Sequence, residues 1–186
     1  MQSQALIPRW RSRNPGSPSV EWFFLLTLVL LLSILAQVSI PLSGSPVPIT
    51  GQTFGVTLIA LLSGWARSGA VMAAYLAFGL AGLPVFADAG TGSDVAASFG
   101  YLIGMAVAAI VMGYFADRGA AGSFTKSLAT ALLGAAIIFA FGVAGLSLFV
   151  PGNALLSAGV LPFVPGAMIK SILAAAIVRW LSRRFE

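Results

Sequence analysis

Cysteine and histidine are both absent from this 186-residue chain. Their absence removes disulfides, thiolate and imidazole metal sites, and imidazole acid–base chemistry, so no metal and no cofactor is expected. Charge is scarce as well: Asp, Glu, Lys and Arg make up 8% of the residues, and only five are acids. A soluble domain carries about 25% charged residues, so a chain this poor in them could not cover its own surface in water. No Gly-Lys dipeptide occurs. That excludes the Gly-rich loop ending in Gly-Lys-Ser/Thr that ATP hydrolysis would need. The apolar stretches also lack the series of ionisable residues on which proton coupling depends.

Apolar residues are abundant, at 59% of the chain, with a mean hydropathy of +0.99. Their runs are continuous rather than alternating, which points to an all-α integral membrane protein and not a barrel. Six runs stand out: 21–40, 52–64, 68–83, 99–116, 126–150 and 163–181. The connecting stretches are rich in Pro, Gly and Ser or carry charge, as turns do. Residues 1–19, with three Pro and three Arg, read as a disordered basic tail; residues 20–186 read as one six-helix transmembrane domain. The first run is too long for a secretory signal and no small-x-small cleavage site follows it, so it reads as a retained helix. No inverted repeat is evident.

The cations orient this bundle. Arg9, Arg11, Arg13, Arg67, Arg118, Lys126, Arg179, Arg183 and Arg184 all fall at one side of the six runs, while the loops 41–51, 84–98 and 151–162 contain no Lys or Arg. The positive-inside rule then places both termini in the cytoplasm. Trp10, Trp22, Trp65 and Trp180 map to the same boundary as interfacial anchors. A pI near 10.5 therefore reflects topology and not nucleic-acid binding.

The second and third runs are short: thirteen residues make about 20 Å of helix, less than the hydrocarbon thickness. The outward loops beside them either lie as solvated loops or fold inward to roof a pocket, since irregular backbone at membrane depth must be buried or line a cavity. The first loop, PLSGSPVPITGQTFG, offers neutral hydrogen-bonding groups on a proline-stiffened backbone. It reads as either a rigid turn or a seat for an uncharged polar group. The second, LPVFADAGTGSDVAASFGY, carries Asp88 and Asp94. Small residues recur every fourth position at Gly69, Ala73, Ala77, Ala81 and at Gly100, Gly104, Ala108. Such stripes pack helices within a bundle or against a partner helix, and a homo-oligomer is compatible with them.

Lys170 is the tenth cation and breaks the pattern. It lies about 10 Å into the sixth run at 1.5 Å per residue, where an unpaired charge costs about 3 kcal/mol. Gly166, Ala167, Leu173 and Ala174 occupy the positions one turn away, so no neighbouring acid neutralises it. It either snorkels to the interface or faces an interior cavity and pairs with an anionic ligand.

Three motifs then carry a resemblance. IPLSGSPVPITGQTFGV at 40–56, AGLPVFADAGTG at 81–92 with FGYLIG at 99–104, and LPFVPGAMIK at 161–170 resemble, in order, the signatures of the BioY family. That family comprises biotin-specific substrate-capture (S) components of energy-coupling factor (ECF) transporters. The resemblance implies a site near the outer face, with the carboxylate of biotin or a nearby polar group facing Lys170. By the same resemblance Thr50, Gln52 and Thr53 belong to the first-loop motif, Phe86 and Asp88 to the third-loop motif, and Tyr101 to the start of the fourth helix. Asn153 is added on polarity alone. The family's helix-six motif usually carries an aspartate where this chain has Ala167, so Asp88, Asp94 or the ligand carboxylate itself must neutralise Lys170. The Ala-xxx-Ala stripe usual on the first helix is also missing from LLTLVLLLSILAQVSI.

The resemblance further implies a multi-pass protein of the bacterial cytoplasmic membrane. Its partners would be biotin, the lipid bilayer, a transmembrane coupling subunit and cytoplasmic ATPase subunits. An S component for another small vitamin and a ligand-free structural membrane protein are the competing readings. An intramembrane Ser–Lys enzyme fits poorly, because Ser171 adjoins Lys170 and points about 100° away around a helix.

Overall fold

Backbone N–H and C=O groups in hydrocarbon have only one another as partners, and the apolar runs are accordingly helical. The computed structural model describes residues 4–8, 17–92 and 95–185. Arg9, Trp10, Arg11, Arg13 and Asp94, and most of the expected tail, lie outside the described residues. The elements are α1 (Pro18–Gln37), β1 (Ser39–Leu42), β2 (Ser45–Thr50), α2 (Gln52–Leu80), α3 (Phe99–Asp117), α4 (Phe124–Leu146), the short α5 (Leu155–Gly159) and α6 (Val164–Phe185). Five stretches among them are long and apolar enough to cross a membrane.

α2 contains two of the expected runs, divided at Gly64. That residue has φ 78° and ψ 175°, a conformation open essentially to glycine alone. Gln52 and Tyr75 would stand about 34 Å apart on a straight helix, yet their side chains hydrogen-bond at 2.7 Å. The halves 52–63 and 65–80 therefore fold back against each other. The Asp117 carboxylate occupies the space that a Gly64 side chain would take, and its Oδ2 accepts from the Trp65 N–H at 3.0 Å. The end of α3 thus caps the second half of α2.

Further contacts gather the cation-bearing helix ends. Arg67 Nε donates to Glu21 Oε1 at 2.6 Å, joining α2 to α1. Ser182 Oγ on α6 donates to Ala121 O at 2.9 Å. The N-terminal residues that are described lie on this same end: Gln4 N donates to Asp117 O at 2.9 Å, and Ala5 is buried beside Leu61, Ala116 and Val178. Among the described cations, only Lys170 stands apart from this end.

At the opposite end the first loop is an antiparallel ribbon, with Ser39 opposite Thr50 and Ile40 opposite Ile49, where the sequence suggested a proline-stiffened loop. The irregularity between Ile40 and Leu42 falls at Pro41, as it must for a residue without an N–H to give to the ladder. The same proline ends α1 at Gln37 and not at Ile40, because the residue before a proline avoids helical angles. α3 is central, packed on both α2 and α4. Gly100 and Gly104 allow the close approach, since a side chain at either would strike Phe141, Gly145 or Ile138 of α4. The other small-residue stripe does not pack inward: Ala73, Ala77 and Ala81 are exposed.

Candidate ligand site

Lys170 is half-buried, at the ribbon end of α6. Its Nζ donates to Thr50 O at 2.6 Å and to Thr53 Oγ1 at 3.2 Å. Both acceptors are neutral, and no carboxylate pairs with the ammonium among the described residues. An ammonium has three hydrogens, so one hydrogen and the whole positive charge are left without a partner in these bonds. The side chain does not snorkel away from the bundle; it reaches across to the junction of β2 and α2.

From Thr50 a chain of hydrogen bonds runs through the bundle. Thr50 Oγ1 donates to Gln52 Oε1 at 2.8 Å and accepts from the Gln52 N–H at 3.3 Å. Gln52 Nε2 donates to Tyr75 Oη at 2.7 Å, and that hydroxyl donates to Val85 O at 2.9 Å. Five residues thereby join α6, the ribbon, both halves of α2 and the 81–98 loop. Thr50, Gln52 and Tyr75 are all buried, so each bond stands in for one that water would otherwise supply.

Phe86 completes the roof. It is fully buried, meets the Tyr75 ring edge-on at 5.3 Å, and lies over Gly79, where a side chain would collide with its ring. Gln37 at the end of α1 holds the loop backbone from both sides. Its Nε2 donates to Phe86 O at 2.9 Å, and its Oε1 accepts from Ala89 N at 2.9 Å. Across a space it shares with Phe86, Tyr101 donates to Gly159 O at 2.7 Å, fixing α3 to α5. Gly142 and Gly159 leave room for its ring and hydroxyl.

Two small spaces flank the hydrogen-bond chain. One, about 40 Å³, is lined by Val47, Thr50, Gln52, Phe86, Tyr101 and Met105 with their neighbours. The other, about 20 Å³, is lined by Thr53, Thr57, Phe139, Ala167, Lys170 and Ser171 with theirs. The structure thus brings Thr50, Gln52, Phe86 and Tyr101 to one space and Thr53 and Lys170 to the adjoining one. It does not bring Asp88 or Asn153 to either. Asp88 is exposed, with φ 56°, and its Oδ2 accepts from Ser39 Oγ at 3.2 Å; Asn153 is exposed in the turn 152–154. Ala167 borders the same space as Lys170, so the position that lacks an acid lines the cation's own cavity.

Tyr75 and Gln37 escaped the sequence reading. Gln37 was visible only as a polar residue closing an apolar run. Tyr75 shares a helix face with Gly79, four residues on, but its partners lie 23 and 10 residues away.

The groups gathered here are complementary to a neutral hydrogen-bonding group, an apolar body and one negative charge. Comparison with known proteins points the same way. The chain matches the BioY family over residues 12–186. It is 37% identical over 156 residues to the biotin transporter BioY of Thermotoga maritima, covering 82% of this chain and 90% of that one. With the biotin transporter BioY of Rhizobium etli the identity is 31% over 163 residues, covering 82% and 86%. Among solved structures, the S-component for biotin from an ECF-type ABC transporter superposes with a TM-score of 0.77 at 28% identity, covering 89% of this chain and 92% of that one.

Proposed function

This chain belongs to the BioY family, and from that premise we propose that it captures biotin at a membrane and is the S component of an ECF transporter. It is a transport protein and not an enzyme. The observation that carries the reading is Lys170, an ammonium held inside the bundle by two neutral oxygens, with no carboxylate partner among the described residues. Biotin has a neutral ureido ring, an apolar thiophane ring and a valerate carboxylate. Gln52 and Thr50 suit the first, Phe86, Tyr101 and Met105 the second, and Lys170 with Thr53 the third. Ala167 supplies no competing acid, so the ligand carboxylate is the counter-charge for Lys170.

Neither space holds a vitamin as it stands, since 40 Å³ admits only about three water molecules. Capture through these spaces parts the ribbon from the 81–98 loop, opening or shifting the Lys170–Thr50 and Tyr75–Val85 bonds.

We assign six membrane crossings, with both termini in the cytoplasm of a bacterial cell. The fold-back at Gly64 supports the count, and the gathering of the cations at one end supports the orientation. The site then opens outward. Delivery inward draws on a separate transmembrane coupling subunit and cytoplasmic ATPases, because this chain has no phosphate loop of its own. Contacts between copies, if the protein self-associates, would use the exposed small-residue face of Ala73, Ala77 and Ala81.

Calorimetric titration of the purified protein tests the central claim. Saturable one-to-one biotin binding that other vitamins do not displace is the expected result. Binding of another vitamin with no response to biotin would overturn it.

A further inference from the structure

At the cation-bearing end, α3 and α4 enclose a groove of about 330 Å³ lined by Phe115, Arg118, Lys126, Ala129, Thr130 and Leu133, together with Ala120. It is far larger than either space near Lys170 and belongs to the opposite end of the bundle. Its two cations have no carboxylate partner among the described residues. The Arg118 guanidinium carbon lies over the Tyr114 ring, 3.3 Å from the centroid, with one weak bond to Tyr114 O at 3.4 Å. Lys126 is exposed. The nearest acid in sequence, Asp117, has its carboxylate engaged with Trp65 N–H. The first turn of α4, to which Lys126 belongs, has no side-chain cap from Ser123, so its free N–H groups add to the positive field.

The groove's wall has the opposite character. Phe115 and Leu133 are 40% and 42% exposed and continue the apolar surface of two membrane-spanning helices. Two cations without a carboxylate partner at the head of an apolar channel match an amphiphile with an anionic head, and basic pockets between transmembrane helices commonly bind such headgroups. A soluble anion would gain nothing from Phe115, Ala129 and Leu133. We propose that this groove binds one anionic phospholipid, its phosphate between Arg118 and Lys126 and an acyl chain along Phe115, Ala129 and Leu133. The lipid would hold the α3–α4 end in its leaflet, independently of whatever occupies the Lys170 site.

Native mass spectrometry of the detergent-solubilised full chain, titrated with phosphatidylglycerol and phosphatidylcholine of matched chains, tests this. The anionic lipid is expected to bind about tenfold more tightly. R118A/K126A should erase that preference, and Ala129→Trp should weaken phosphatidylglycerol by filling the channel. R183A/R184A, whose cations lie outside the groove, should leave the preference intact, and millimolar glycerol 3-phosphate should not displace the lipid. Equal binding of the two lipids would overturn the proposal, as would a preference that survives both groove variants. Equal loss in R183A/R184A would reduce the effect to general charge, and displacement by glycerol 3-phosphate would make this a site for a soluble anion.

Discussion

Replacing Lys170 with Met removes the charge while keeping most of the side-chain volume, and its effect can be separated from folding by changing the ligand at the same time. In the resting site the ammonium's acceptors are Thr50 O and Thr53 Oγ1, so the substitution relieves an unpaired charge but leaves those oxygens one donor short. These effects oppose each other, and the melting transition of the unliganded protein should move by no more than about 1 kcal/mol. Binding should respond far more strongly. A hydrogen bond to a charged group contributes about 1.5–3 kcal/mol, or roughly 10- to 150-fold in Kd. The measurement is calorimetry with biotin and with its primary amide, on both proteins. The unaltered protein should prefer the acid by about that factor, and Lys170→Met should lose the preference. The resulting cycle isolates the lysine–carboxylate coupling from any general loosening of the site. Equal affinity of the unaltered protein for acid and amide would refute the assignment of Lys170 to the carboxylate, even if Lys170→Met bound nothing.

Other parts of the structure yield sharp expectations. Tyr75→Phe deletes one hydroxyl and orphans Gln52 Nε2 and Val85 O together; it should cost about 1–3 kcal/mol, read as a lower melting temperature, and should weaken biotin binding without changing the acid-over-amide ratio. Gly64→Ala demands a left-handed angle of an L residue and drives its methyl into the Asp117 carboxylate. A loss of about 3 kcal/mol or more is expected, and a melt within 1 kcal/mol of the unaltered protein would show that the fold-back is not as described. Gly79→Ala puts a methyl where the Phe86 ring lies, so the ring must leave its place beneath the 81–98 loop. Faster proteolysis within that loop, compared with the unaltered chain, is the expected readout.

How much of this was legible in the sequence depended on whether a residue's partner was local. The apolar runs were visible because hydrocarbon dictates them, and the break near Gly64 because Arg67, with Trp65 beside it, separates two short apolar runs. The ribbon was not foreseen. Its three prolines read as loop stiffeners, although Ile40, Ser45 and Val47 each precede a proline and are thereby biased to extended angles. Asp88 belongs to the third-loop motif by resemblance, and in the fold it takes a left-handed turn and accepts from Ser39, neither of which its being an acid reveals. Tyr75 could not have been found, since nothing near it in the chain reveals a hydroxyl bridging the start of α2 and the 81–98 loop.

Lys170 was legible for a different reason. A charge inside an apolar run must be explained by something, and the missing acid at Ala167 showed that its own helix would not provide it. The structure answers with a carbonyl and a hydroxyl, acceptors that bear no charge and that a carboxylate can replace. Those two bonds also tie α6 to the ribbon, through Thr50 in β2 and Thr53 in the first turn of α2. On the proposed reading, a ligand carboxylate meets Lys170 at its unpartnered hydrogen and draws the ammonium away from the contacts that hold this side of the roof shut. Under that proposal, binding of the charged group and loosening of the ribbon are coupled at one nitrogen. An acid at position 167 would decouple them by pairing Lys170 in advance, so Ala167→Asp should leave the acid-over-amide preference smaller than in the unaltered chain. A preference that grew instead would mean that Lys170 needs an acid partner before it can hold the ligand, and that the exchange described here does not occur.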